Sequence, residues 1–263
     1  MPLSSCGGVA LLLIGLLTAY LALRRPIVCV VVFGVATAFV ISHYDSVHLQ
    51  WLTWAKLGAL LTAVAVIMSL YRRNTTGRRW ALTGILVLNM IEAVAADLQS
   101  HRWANTAVGI VLTVCIPGAA FIETVATPRK HVLYALPVAW VAQYTVWNIG
   151  VVLAHYPQHW FDHCAVLLAP IIIAVAARDF RVWLEARAFT LTTYVVAIVG
   201  VIDVAHARWI PPLPLPPGLN FVFLGIAVLL SPWTIAAAVK QRRRRATEAR
   251  SMAQVCEAAA TRV

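Results

Sequence analysis

An all-α, polytopic membrane bundle of about nine spanning helices, N-terminus outside and C-terminus cytoplasmic, is the fold class this sequence predicts. Three observations predict it. Of 263 residues, 61% are hydrophobic and 12% charged, where soluble domains hold about 45–50% apolar and about 25% charged residues. Apolar runs of roughly 20 residues, the length that crosses a bilayer as a helix, recur along the whole chain. Basic residues gather in short clusters between alternate runs, as membrane orientation requires.

The first run, residues 8–23, ends in Arg24-Arg25. A cleaved signal peptide carries its positive charges ahead of the apolar stretch, so this run reads as a span. The second run is Pro26–Ser42. The third, Trp51–Tyr71, opens with Trp51 and Trp54 at interfacial depth. Arg72, Arg73, Arg78 and Arg79 crowd the loop to the fourth run, Trp80–Asp97. A fifth span is expected over Trp103–Glu123, with Pro117-Gly118 in its inner part, and a sixth over Val132–Ala154 after Arg129-Lys130. The seventh is Trp160–Ala177. Arg178, Arg181 and Arg187 then fall in a link to the eighth, Ala188–Ala207. Ile210–Pro217 reads as a stiff polyproline spacer. The ninth, Leu219–Val239, carries Pro232, where a kink is expected. Residues 1–239 thus form the membrane domain and 240–263 a basic cytoplasmic tail, suited to stop-transfer and contact with anionic lipid.

Nine spans put the two ends on opposite sides. The loops and tail on one side then carry 18 of the 21 Lys and Arg residues, leaving Lys56, Arg102 and Arg208 on the other. The richer side is cytoplasmic by the positive-inside rule. The net charge of +11 is thereby explained by orientation. Nucleic acid is not expected as a partner, because no basic face interleaves with aromatics. The expected partners are the bilayer and a small-molecule or ion ligand. The five cysteines form no C-x-x-C pair and read as small apolar residues.

Polar residues inside the apolar runs mark the candidate site. Asn89, Ala93 and Asp97 follow at i, i+4 and i+8, with Glu92 on the adjoining stripe. A carboxylate in hydrocarbon is costly and calls for a partner or a job. Counting the helical rise of about 1.5 Å per residue from each run's end, Lys56, Asn148 and Asp203 come to the same outer layer as Glu92 and Asp97. A polar cavity lined by the third, fourth, sixth and eighth spans follows. Lys56 and Glu92 suit an ion pair, which either neutralises two buried charges for packing or serves function. Gln143, Tyr144, Trp147 and Asn148 give the sixth span a polar-aromatic flank, which interhelical hydrogen bonding or ligand contact would use. Thr190, Thr193 and Tyr194 do the same for the eighth.

Seven histidines map to the outer side and only His131 to the cytoplasmic side. His155, His159 and His163 are spaced H-x3-H-x3-H, beside Asp162 and Cys164, and His206 comes from another span. Imidazole and carboxylate serve divalent metal sites and proton relays alike. Pro157 interrupts any single helix through the three, and solvated interfacial loops carry histidine without a metal. No G-x-S-x-G, Walker, dinucleotide or haem motif is present.

The segments Trp54-Ala55-Lys56, Asn89-Met90-Ile91-Glu92-Ala93-Val94, Tyr144-Thr145-Val146-Trp147-Asn148, Leu167-Leu168-Ala169-Pro170 and Arg187-Ala188-Phe189-Thr190-Leu191 span roughly residues 50–195. Their order and spacing resemble an uncharacterised bacterial family of multi-pass membrane proteins, known only as a domain of unknown function. The resemblance implies a bacterial cell membrane and supplies no activity. Transport or sensing of a small solute or cation is the leading expectation. The rivals are a membrane-embedded enzyme on a lipid or isoprenoid substrate and a non-catalytic assembly partner.

Overall fold

Most of the apolar runs that the structure describes become helices. The computed structural model describes residues 5–23, 25, 28, 31–32, 34, 51–125, 131–155, 160–197 and 218–260. Its helices are α1 (Ser5–Leu23), α2 (Trp51–Arg72), α3 (Thr76–Gln99), α4 (Trp103–Val114), α5 (Val138–His155), α6 (Trp160–Ala176), α7 (Trp183–Ala197) and α8 (Leu219–Ala260). The architecture is all-α but for one antiparallel hairpin, β1 (Ile122–Val125) with β2 (His131–Tyr134), in register Ile122 to Tyr134 and Val125 to His131. The expected second span, Pro26–Ser42, lies mostly outside the described residues. Among them, two helices are long and apolar enough to cross a membrane: Thr76–Gln99, and Leu219–Gln254 within α8.

The hairpin corrects the expected fifth and sixth spans. The fifth helix stops at Val114 instead of reaching Glu123, and the sixth begins at Val138 instead of Val132. Pro117 has no N–H to continue the ladder, and the chain turns there. A twelve-residue α4 is about 18 Å long, short of the roughly 30 Å hydrocarbon layer. The carbonyls freed at its end are met by other elements. Trp140 Nε1 donates to Leu112 O at 2.8 Å, and Arg242 Nη2 donates to Val114 O at 2.7 Å. The Tyr134 hydroxyl donates to Pro117 O. Irregular backbone is stable inside a bundle only with such partners.

Arg242 comes from the expected tail. The ninth helix does not end at Val239, as expected, but runs unbroken to Ala260 with Pro232 inside it. An arginine at a helix C-terminus also faces the negative end of the dipole. The same device closes α2, where Arg78 Nη1 donates to Ser69 O at 2.8 Å and Arg73 O at 2.7 Å.

Two helices sit innermost. α5 packs on α4, α6 and α8; α7 packs on α1, α2, α6 and β2. Every residue of α7 from Trp183 to Thr192 is buried. A helix covered on all sides has no solvent stripe for its polar residues. Trp140 and Tyr144 of α5 stack with ring centroids 5.2 Å apart, and Trp183 of α7 meets Tyr144 edge-on at 5.3 Å. Gly109 permits the tightest approach: a Cβ there would lie 2.5 Å from Val94 Cγ2 and 2.8 Å from Trp147 Cζ2. A small residue lets α3, α4 and α5 meet closely.

Candidate functional site

The polar positions of α3 go to different neighbours. Glu92 Oε1 lies 4.0 Å from Lys56 Nζ of α2, with side chains 25% and 40% exposed. That pair therefore lies on the flank of the bundle. Asp97, fully buried, has Oδ1 at 2.9 Å from His155 Nε2, the last residue of α5, while its Oδ2 has no partner among the described residues. Beside it, Arg102 Nη2 donates to Ala154 O at 3.2 Å and closes the end of α5. Asn89 lines a cavity with residues of α2, α5 and α7.

Two histidines of the H-x3-H-x3-H motif take separate partners. His155 meets Asp97, while His163 Nδ1 lies 3.2 Å from the Tyr194 hydroxyl of α7. His159, His206 and Asp203 lie outside the described residues. Among the described residues, no three His, Cys, Asp or Glu side chains converge to hold a metal.

The polar-aromatic flank of the expected sixth span serves mainly to bind helices together. Gln143 Nε2 donates to Ala227 O at 3.0 Å and Ser231 Oγ at 2.7 Å, tying α5 to α8. Trp147 Nε1 donates to Asn105 O of α4 at 2.9 Å. Asn148 is half-buried and makes no hydrogen bond with the described residues. The threonines of α7 differ from expectation. Thr190 and Thr193 donate to Ala186 O and Phe189 O of their own helix, so they do not link helices.

Two charged residues that the linear pattern placed in a loop prove to be central. The eighth helix begins at Trp183, not Ala188, which brings Glu185 and Arg187 into α7 and buries both. Nothing in Trp183–Ala188 breaks a helix, and that continuity was the available signal. Glu185 Oε2 accepts from Val132 N at 2.6 Å; Oε1 accepts from the Tyr20 hydroxyl at 3.3 Å and lies 3.1 Å from His131 Nδ1. One carboxylate thus ties α1, β2 and α7 together.

Arg187 is 7% exposed. Its Nη1 donates to Val166 O of α6 at 3.0 Å. Pro170 explains why that carbonyl is free: with no N–H, it cannot serve the oxygen four residues before it. Among the described residues, the Arg187 Nε has no hydrogen-bond partner and no carboxylate pairs with the guanidinium. A cavity of about 50 Å³ opens beside it. Its lining comes from α2 (Leu60, Ala63), α3 (Leu82, Ile85, Leu86, Asn89), α5 (Tyr144) and α7 (Trp183, Leu184, Arg187, Ala188, Leu191). These are the third, fourth, sixth and eighth apolar runs. The lining is more apolar than the sequence suggested, and Lys56, Glu92 and Asp97 stand outside it.

A second cleft, about 340 Å³, lies between the hairpin and α8 beside Phe121, Glu123, Arg181, Gln241, Arg244 and Arg245. Its arginines already face carboxylates: Arg181 meets Asp179 at 2.9 Å, and Arg244 meets Glu248 at 3.0 Å. Hydrogen bonding from Arg181 holds the Asp179 carboxyl below its ordinary value.

The model of a family of unknown function (DUF5692) matches residues 8–208. No curated protein and no solved structure matches the chain.

Proposed function

We propose that this chain, which belongs to the family of unknown function (DUF5692), is a multi-pass cell-membrane protein that takes a small solute into its helical bundle, to carry or to sense it. One observation carries the reading: the buried Arg187, which no carboxylate among the described residues faces, beside a cavity shared by four helices. An ionisable group inside an apolar bundle is expensive and marks function by default. Interrupted helices lend support, since broken helices line transport sites; α4 stops at Val114, and α6 and α8 each contain proline.

Membrane residence draws on the two membrane-length helices and on Phe221, Leu229 and Trp233, which α8 turns outward. The basic asymmetry orients the bundle with its C-terminus in the cytoplasm. A cytoplasm-dependent reporter fused after Val263 should then be active, and silent when inserted in Pro211–Pro217. The opposite pattern would invert the topology.

The test of function is flux. Purified protein in proteoliposomes should take up at least one member of a labelled panel of small carboxylates, inorganic anions and alkylammonium cations, above protein-free vesicles. Saturable binding of one of them without uptake would favour sensing. Neither binding nor uptake across the panel would sink both forms. A second reading, a membrane-embedded enzyme on a lipid or isoprenoid substrate, draws on the Asp97–His155 pair, where a buried carboxylate orients an imidazole as acid–base sites require. Glu92→Gln separates flank from site. It removes the charge facing Lys56, and retained complementation in the host would exclude Glu92 from the chemistry.

A further inference from the structure

We infer that the solute is a small monocarboxylate, its carboxylate held by Arg187 and its short apolar body lying in the cavity between α2, α3 and α7. The inference rests on the reading above, that this cavity receives a solute, and names its class.

The charge balance comes first. Arg187 is a buried guanidinium, yet no carboxylate among the described residues faces it. Two carboxylates on helices that line the cavity are otherwise engaged. Glu185, two residues away, is held by Val132, His131 and Tyr20. Glu92, three residues beyond Asn89, faces Lys56. A cation entering the cavity would meet an uncompensated guanidinium; an anion would neutralise it.

The hydrogen-bond balance agrees. Of the several N–H donors on a guanidinium, only Nη1 is engaged among the described residues, by the carbonyl that Pro170 frees. That contact accounts for an arginine in the scaffold and leaves the rest of the fork unexplained. Among the described residues the Nε lacks a partner, and so does the indole Nε1 of Trp183, a residue of the same lining. Two unmet buried donors in side chains that line one cavity call for an acceptor nearby. Asn89 adds an amide to the lining.

Shape narrows the class. A volume of about 50 Å³ holds a few water-sized groups, which suits a molecule of acetate or propionate size. A planar fork binds a planar carboxylate through two parallel hydrogen bonds. The remaining wall, with Leu60, Leu82, Leu86 and Leu191, is hydrocarbon, which suits a methyl or ethyl group.

The experiment is equilibrium binding of radiolabelled acetate to the purified full-length protein in nanodiscs, with propionate, nitrate, chloride and methylammonium as competitors. Expected is saturable binding that propionate displaces, that methylammonium leaves untouched, and that weakens tenfold or more in Arg187→Met. A cavity-filling Ala188→Leu variant should lose binding while Arg187 remains, which guards against a misfolded arginine variant. Acetate binding unchanged in Arg187→Met, displacement by methylammonium, or chloride and nitrate bound in preference to every carboxylate would each overturn the inference. Arg187-dependent binding with no acetate flux leaves the site standing and removes transport. Flux of another solute with no anion bound removes the site and leaves transport.

Discussion

Glu185 and Arg187 stand two positions apart on α7, both buried, and they are treated in opposite ways. The carboxylate is met by a backbone N–H, a hydroxyl and an imidazole from α1 and β2. The guanidinium is met by one carbonyl and borders a cavity. A buried charge with a full set of partners is a fastening, and its removal strands the groups around it. A buried charge with one partner contributes little to stability, so its presence needs another reason.

Glu185→Leu should therefore give the largest loss. It removes the acceptor of the Val132 N–H and of the Tyr20 hydroxyl, and a loss of about 3–5 kcal/mol is expected. Thermal unfolding in detergent reads it directly, and an unshifted midpoint would show that Glu185 fastens nothing. The same measurement on Arg187→Met should stay within about 1 kcal/mol, since one hydrogen bond is lost and one uncompensated charge is relieved. A fall as deep as at Glu185 would erase the contrast between the two residues.

The frame around both residues comes next. Gly109→Ala puts a methyl 2.5 Å from Val94 Cγ2, and overpacking of this kind costs about 1–3 kcal/mol. A wild-type midpoint in that variant would mean that α3 and α4 do not pack as closely as described. The Lys56–Glu92 pair should matter less, about 1 kcal/mol at most, because both side chains are partly exposed. Lys56→Met should lower the midpoint slightly and the added Glu92→Gln should restore much of it. Strictly additive losses would mean that the two do not interact.

The smallest effect lies at Asp179. Its folded pKa is depressed below 3.8 by Arg181, so its contribution is present above the unfolded pKa and is lost as pH falls through the folded one. Wild type should exceed Asp179→Asn in stability near neutrality, and the gap should close in acid below about pH 4. A gap that is constant with pH would show that the Asp179 charge contributes nothing.

Of the cavity lining, Asn89 could be read in advance. It stood out with Glu92 and Asp97, which lie outside the cavity, because the helical repeat of α3 is local and a polar group in an apolar run is conspicuous. α6 was legible for the same reason, expected over Trp160–Ala177 and found over Trp160–Ala176. The hairpin was not, since Ile122–Val125 and Val132–Tyr134 are apolar enough for either a helix or a strand, and only Pro117-Gly118 signalled a break. Arg187 was counted among loop charges because it follows Arg178 and Arg181, although Trp183–Ala188 can extend the helix without interruption. Arg242 looked like one more basic residue of a tail, yet its guanidinium closes α4.

What the sequence determined by itself was the predominantly helical architecture, the long apolar helices and the residues of α3 that are out of place in them. Those depend on how each segment partitions between water and an apolar medium, a property of neighbours along the chain. Only the tertiary structure decided which charges have partners. Arg187 reaches Val166 because Pro170, on another helix, leaves that carbonyl free, and Glu185 reaches Val132 because the hairpin folds back against α7. A hydrogen bond needs donor and acceptor within about 3 Å, and residues distant in sequence meet at that range only after the helices have packed.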